Sequence, residues 1–555
     1  MPKIPSHRFH CLLLGLMLAP LAIADDPASR QLRDQRQQLQ RFDHEQRVRQ
    51  WEHRGRLVED QDVPPPVAST ACWQVSGVRL SGHRVLSAQV LDGAVQPQLK
   101  PCMGVADINR LLKAITQRYV QAGYPASRPL LARRPTPGAP LDIRIVEGFV
   151  ESVELADPSQ PLSMRGAFPG LVGDPLRLPD LEQGLDQLNR LAAFDVTADV
   201  RPGEMQGGTR VIVQPRQVAR RWRLGTTYDN PGSESLGAHR LVSTAIVDSP
   251  FGQNGLLSLG YTKAAGDALG SSGGPSFHYD VPYGPWSFAL NAVHFSNQAS
   301  TPEKLHTYDS KTRFYQLNVE RALWRNQQGM LSTLARLDHK RLLSSFDNAP
   351  IANQSPTLTS VELGVNLLWL EGGLWNAYMG VAQGVDWFGA DREPPGSAAF
   401  KPLHRTYRAN LFHLRQGPSR HPWRWQSELN VQYSTDDLPG TEQLALNGDH
   451  TVRGFRERFY TGSTGAVWRN TLSYPLPFSW PANFELRPHL GLDHGRTRSA
   501  EKVPAHRLTG ATLGLNLTFP GNHIRLDYQH PLHASGMRRQ DLEPGYWVVR
   551  WALTI

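Results

Sequence analysis

From about residue 220 onward, apolar and polar side chains alternate with a period of two. Trp222, Leu224, Thr226 and Tyr228 share one face, as do Leu257, Leu259 and Tyr261, then Phe277, Tyr279 and Val281, then Trp286, Phe288 and Leu290. The same alternation returns at Trp423, Trp425, Leu429, Val431 and Tyr433, with Arg424, Gln426, Glu428, Asn430 and Gln432 on the other face. It recurs at Phe484, Leu486, Leu490 and Leu492, opposed by Glu485, Arg487, His489 and Asp493. In the last stretch Trp547, Val549, Trp551, Leu553 and Ile555 oppose Tyr546, Arg550 and Thr554. This is the pattern of strands with one greasy and one wet face. Tight turns near 248–252 and 283–285 alternate with looser connections such as 266–274. Roughly 336 residues at about 20 per strand and connection predict about 16 strands, an antiparallel transmembrane β-barrel with an aromatic belt.

The earlier part of the chain changes period. Ile108, Leu111, Leu112, Ile115 and Tyr119 mark one face of a helix over 106–122, which Gly123-Tyr124-Pro125 ends. Strands over 73–80, 127–132 and 141–146 complete a first small α+β unit, closed at Glu147-Gly148. A second unit repeats the order, with a strand over 149–155, a helix over 178–193 and strands over 196–201 and 210–213. Before both units, 25–58 is rich in Arg, Gln, Asp and Glu, with Leu32, Leu39, Phe42 and Trp51 as its few apolar residues. It reads as a helix without a stripe wide enough to join a core, either solvated or suited to a polar channel. The prolines at 64–66 stiffen a linker over 59–71.

Composition fits a barrel and not a helical membrane protein; a soluble sandwich of this size is the competing architecture, which the Trp and Tyr at strand ends disfavour. The chain has 555 residues, 40% of them hydrophobic, and a mean hydropathy of −0.42. A helical membrane protein is greasier; a barrel is not, because only alternate residues meet lipid. Lys3 and Arg8 precede an apolar run over 11–23 and Ala22-Ile23-Ala24, the form of a signal peptide spanning 1–24. Cys11 leaves with it, and the remaining even pair, Cys72 and Cys102, predicts a disulfide in an exported chain. The net charge of +9 is spread evenly and carries no zinc spacing or RNA-binding signature, which argues against nucleic acid as a partner. No nucleotide-binding glycine loop, nucleophile elbow or HExxH is present, so no cofactor, metal site or catalytic residue is expected, and no enzyme.

One stretch breaks the strand alternation. Residues 434–465 form a connection of about 30 residues, a length at which loops are usually functional or disordered. At its centre Val452-Arg453-Gly454-Phe455 combines an apolar residue, a cation, a glycine that permits unusual backbone angles and an aromatic anchor. The rigid fork of donors on arginine suits a carboxylate. Asp493, in Gly491-Leu492-Asp493-His494-Gly495, lies on the wet face of a following strand. Arg453 and Asp493 are therefore expected to pair inside a lumen.

Val-Arg-Gly-Phe followed about 40 residues later by Gly-Leu-Asp-His-Gly resembles the paired motifs of the Omp85 superfamily of outer-membrane barrels. The two small units and the polar N-terminal segment narrow the resemblance to the two-partner secretion transporters (TpsB), which export haemolysins, filamentous haemagglutinins and contact-dependent-inhibition toxins. The closing phrase Leu141-Asp142-Ile143-Arg144-Ile145-Val146-Glu147-Gly148 is similar to the end of the family's first POTRA (polypeptide-transport-associated) domain. The resemblance implies a plug helix over 25–58, POTRA domains over 72–148 and 149–217, and a 16-stranded outer-membrane barrel over 218–555. It implies a transport motif of Val452, Arg453, Gly454, Phe455, Gly491, Asp493 and Gly495. The implied partners are an unfolded TpsA-type exoprotein, outer-membrane lipids and the barrel assembly machinery; the helix and POTRA domains are lumenal or periplasmic. An assembly factor that inserts other barrels is the competing reading within the superfamily. Outer-membrane barrels commonly end in an aromatic residue, from which Ile555 departs.

Overall fold

In the computed structural model, the described residues are Ser29, Leu32, Arg33 and 72–555, apart from 233–236, 266–269, 301–304, 327, 397–398, 477–482 and 500–503. The expected signal peptide, the linker and all but three residues of the expected plug helix lie outside them.

The first small domain packs a long helix, Val105–Gln121, and a shorter one, Ala88–Val95, against a sheet ordered Val78–Ser81, Leu141–Val146, Arg128–Leu131. Ile108, Leu111, Ile115 and Tyr119 meet Leu141, Ile143 and Ile145 in its core, as the helical and strand periods require. The single strand expected over 73–80 is two strands, Cys72–Gln74 and Val78–Ser81, interrupted at Gly77, whose φ is +151°. Cys72–Gln74 pairs instead with Cys102–Gly104, and the Cys72 and Cys102 sulfurs are bonded across it. Glu147 closes the unit: its Oε1 accepts from the Tyr119 hydroxyl at 2.8 Å and from the Arg84 and Val85 amides at 2.8 and 2.9 Å. Burial, reinforced by that carboxylate, pushes the Tyr119 hydroxyl's pKa well above the usual range.

The second domain repeats the plan, with the sheet Phe149–Leu155, Gly208–Val218, Phe194–Pro202 and the helix Leu178–Asn189. It is seated on the turns that join barrel strands at one end. Asp248, fully buried, accepts from the Ala193 amide at 2.8 Å and takes a two-point contact from Arg223 at 2.7 and 3.1 Å. The Asn254 side chain exchanges two hydrogen bonds with the Ser163 backbone at 2.8 and 2.7 Å. Arg325 reaches Asp186, and Arg190 reaches Asp280.

Sixteen antiparallel strands then form a closed barrel. The first, Trp222–Asp229, pairs with both the second, His239–Asp248, and the last, Tyr546–Thr554, so no edge is left open. Alternation sorts the faces. On Trp286–Ser300, Phe288 and Leu290 point outward and are exposed, while Asn291 and Asn297 point inward and are buried. Trp222, Trp375, Trp468, Trp547 and Trp551 join the apolar outer wall. The strand-joining turns beneath the second domain mark the periplasmic end, and the longer loops lie at the external end.

Candidate functional site: a loop folded into the barrel

The connection between Arg424–Tyr433 and Thr464–Ser473 begins and ends at the external rim, yet most of its middle is buried. A small hairpin, Leu444–Leu446 with Tyr460–Gly462, carries the tip. The tip is tied to itself. The Thr451 hydroxyl donates to the Asn447 carbonyl and accepts from the Asn447 amide, both at 2.6 Å, and the Gly448 amide donates to the Phe455 carbonyl at 2.7 Å.

Arg453 is 1% exposed and Asp493 is fully buried. Their contact has three points: Nε donates to Oδ2 at 2.6 Å, Nη2 to Oδ1 at 2.6 Å, and the Arg453 amide to Oδ2 at 3.0 Å. Nη2 also reaches the Asn470 carbonyl at 3.0 Å and the Thr471 hydroxyl at 3.2 Å. Such forked, charge-assisted bonds fix orientation as well as proximity. Arg469 adds a second cation 3.9 Å from Asp493.

The wall is hollowed to receive this tip. A Cβ on Gly491 would meet the Arg453 guanidinium at 2.5 Å, and one on Gly495 would meet Leu446 and Val452 at 2.6 and 2.8 Å. Gly454 has φ +102°, a conformation that side chains rarely adopt, and a Cβ there would strike the His530 backbone at 2.7 Å. Phe455, fully buried, packs with Leu446, Val452, Val467, Leu508 and Ala534. The seven motif residues expected from the sequence thus come together on the inner face of adjacent strands.

Sequence reasoning missed the rest of the seat. Gly510 floors it, because a Cβ there would stand 1.7 Å from the Arg453 carbonyl oxygen. Gln529 accepts from the Gly454 amide at 3.2 Å and donates to Asp449 at 3.1 Å; Asp449 in turn accepts from Arg550 at 2.8 Å. Gly510, Thr512 and Gly514 alternate on one strand face, a signal of small inward residues that was readable beside Gly491 and Gly495.

A second attachment holds the start of the loop on another sector of the wall. Glu442 is 2% exposed; it accepts from Lys340 and, at 2.7 Å, from Arg408. Arg408 also donates to Glu362 at 2.7 Å, and Lys340 lies 3.6 Å from Asp338. Two turns of chemistry meet here, because the Gly440 carbonyl accepts from Arg33. Ser29, Leu32 and Arg33 are helical and buried, and Leu32 packs on the inward Val293, Phe295 and Phe314. The described part of the N-terminal segment therefore lies within the barrel against the loop. Among the described residues no group of side chains suits a metal ion.

Comparisons with known proteins match this architecture. Residues 207–517 fit the family model described as haemolysin secretion/activation protein ShlB/FhaC/HecB. Residues 73–148 fit a POTRA domain of the ShlB type, and 149–202 a POTRA domain. The chain is 32% identical over 495 residues to the hemolysin transporter protein ShlB of Serratia marcescens, covering 87% of each. It is 30% identical to the hemolysin transporter HpmB of Proteus mirabilis (90% of this chain, 89% of the relative). It is 29% identical to the outer membrane transporter CdiB of Escherichia coli (92% and 87%). The solved structure of CdiB from Escherichia coli superposes with a TM-score of 0.85 at 24% identity, over 96% of this chain and 99% of that one.

Proposed function

The chain belongs to the haemolysin secretion/activation family of outer-membrane transporters, and on that premise we propose that it is the dedicated exporter of one large exoprotein. The client, a TpsA-type adhesin, haemolysin or contact-dependent-inhibition toxin, arrives unfolded in the periplasm. It is caught by the POTRA domains, crosses the barrel as an extended chain and folds outside, without nucleotide hydrolysis. The signal peptide over 1–24 directs export, the barrel assembly machinery inserts the protein, and the polar segment over 25–58 plugs the lumen until transport begins.

Capture follows from what a small open sheet exposes. Each POTRA sheet has two edge strands: Val78–Ser81 and Arg128–Leu131 in one, Phe149–Leu155 and Phe194–Pro202 in the other. A backbone that adds to such an edge gains hydrogen bonds that do not depend on its sequence. Leu130 and Val200 lie on these strands half exposed, as apolar ground for alternate side chains of a client.

The observation that carries the reading is the buried Arg453–Asp493 pair, which fastens an external loop to the inner wall of a closed barrel bearing two periplasmic POTRA domains. A pore for a passing chain needs an element that can occupy the lumen and be released, and this loop is built that way. The test is a comparison of culture supernatant and outer membrane with and without the gene. Loss of one large protein from the supernatant, with other barrels unchanged, is the expected result. A broad loss of outer-membrane barrels would assign the chain to barrel assembly instead.

A further inference from the structure

The outward face of the barrel carries a feature that export does not use. On the strand Thr307–Arg325 the outward positions toward the external end run Arg321, Val319, Leu317, Tyr315, Arg313 and Lys311. Arg321 lies over the Trp286 ring at 5.0 Å, at the periplasmic end of the apolar band. Each same-face step raises the chain by about 5 Å on a strand tilted by about 40°. Arg313, four steps beyond Arg321, therefore stands about 20 Å above it, close to the full height of an apolar band of about 25 Å. That is the level of headgroups in the external leaflet.

Arg313 does not stand there alone. Its direct cross-strand partner on Gly329–Phe346 is Arg341, and His294 opposes it from the other side. Nearly opposite on the wall the device is repeated: Arg496 of Glu485–Arg498 is directly paired with Arg507 of His506–Phe519. This second pair also lies one step beyond a ring, His494, and beyond the exposed Leu490, Leu492 and Leu513. Like charges directly opposite one another destabilise a sheet. Among the described residues none of the four guanidinium groups has a carboxylate partner, and Asp309, two same-face steps from Arg313 on the same strand, forms no ion pair.

We propose that each arginine pair binds the phosphate of a phosphomonoester-bearing lipid in the external leaflet. A phosphomonoester carries a charge of about −1.5 to −2 at neutral pH, enough to offset two guanidinium groups, whereas a phosphodiester offsets one. Two planar forks converge on its oxygens from adjacent strands, while the acyl chains lie along the apolar wall below. Lipid binding at this outer wall does not depend on what the barrel exports.

The test uses the purified full-length protein in detergent, titrated with bis-phosphorylated lipid A, with the same lipid after enzymatic dephosphorylation, and with phosphatidylglycerol, reading bound lipid by native mass spectrometry. The expected result is two retained lipid A molecules per barrel, at least tenfold tighter than either other lipid. Arg313→Gln with Arg341→Gln removes one, and Arg496→Gln with Arg507→Gln removes the other. Lysine at the same four positions restores binding in part, because it keeps charge and loses the fork. These side chains point away from the barrel interior, and heat-modifiable gel mobility reports whether each variant is folded. Unchanged lipid A binding by a folded quadruple glutamine variant overturns the proposal. So does equal binding of phosphatidylglycerol or of dephosphorylated lipid A by the wild type, which holds whether or not the variants fold.

Discussion

Gly510 lies directly beneath the backbone of Arg453: a Cβ built on it would stand 1.7 Å from the Arg453 carbonyl oxygen. The obstructing atom is backbone, held from its other side by the three-point contact with Asp493, so it cannot swing away as a side chain would. Gly510→Ala is therefore expected to lift the loop tip off the wall while leaving the strand ladder intact. Secretion should fall at least tenfold at equal barrel abundance, with heat-modifiable mobility retained. Wild-type secretion by a folded Gly510→Ala protein would mean that the seat is not needed in transport.

Asp493→Asn tests the charge rather than the shape. The substitution leaves the Arg453 guanidinium buried without its counter-charge, and removing one partner of a buried pair costs about 3–5 kcal/mol. Arg469, 3.9 Å away, loses the same carboxylate. The loop should become cleavable by added protease in intact membranes, whereas the buried wild-type loop is expected to resist. Arg453→Lys should behave nearly as badly as Arg453→Ala, because a single ammonium cannot reproduce the fork.

Much of this architecture was legible in the sequence, for a physical reason. Period-two alternation over the barrel reports which side meets lipid, and period 3.6 in Ile108, Leu111, Ile115 and Tyr119 reports one buried helix face. Both are local. The Arg453–Asp493 contact was reachable because an arginine in a loop and an aspartate on a wet strand face are chemically matched. Glu442 was not, since its partners Lys340 and Arg408 are 102 and 34 residues away and nothing local distinguishes it from a solvated loop acid. The break at Gly77 was legible but overlooked: Trp73 and Val75 are apolar at odd positions, Val78 and Leu80 at even ones, and the phase changes across the glycine where the two strands part.

The Cys72–Cys102 bond closes a sequence separation of 30 residues, which by the chain-entropy estimate stabilises the first POTRA domain by roughly 3–4 kcal/mol. A domain of that size has a limited core, to which such a staple adds. Replacing both cysteines by serine should make this domain alone sensitive to limited proteolysis at growth temperature, with the barrel's gel mobility unchanged. Equal protease resistance of the two proteins would show that the core suffices without the bond.

The loop is attached at two sectors of the wall, and the two attachments differ in what they leave behind when cut. Glu442 neutralises Lys340 and Arg408, but each of these has another acid at hand, Asp338 at 3.6 Å and Glu362 at 2.7 Å. Glu442→Gln should therefore cost less than the 3–5 kcal/mol typical of an orphaned buried charge. The tip would stay seated by Arg453, while the Gly440–Glu442 turn, which also receives Arg33, loses its hold on the wall. The expected outcome is a lumen that opens more often without full release of the loop: more frequent conducting states in planar bilayers, and faster labelling of a cysteine introduced at Ser29. In Asp493→Asn the same two readouts should move less, because the turn that touches the N-terminal helix remains clamped. If Glu442→Gln and Asp493→Asn change conductance and labelling equally, the two attachments release together, and the loop behaves as one rigid latch.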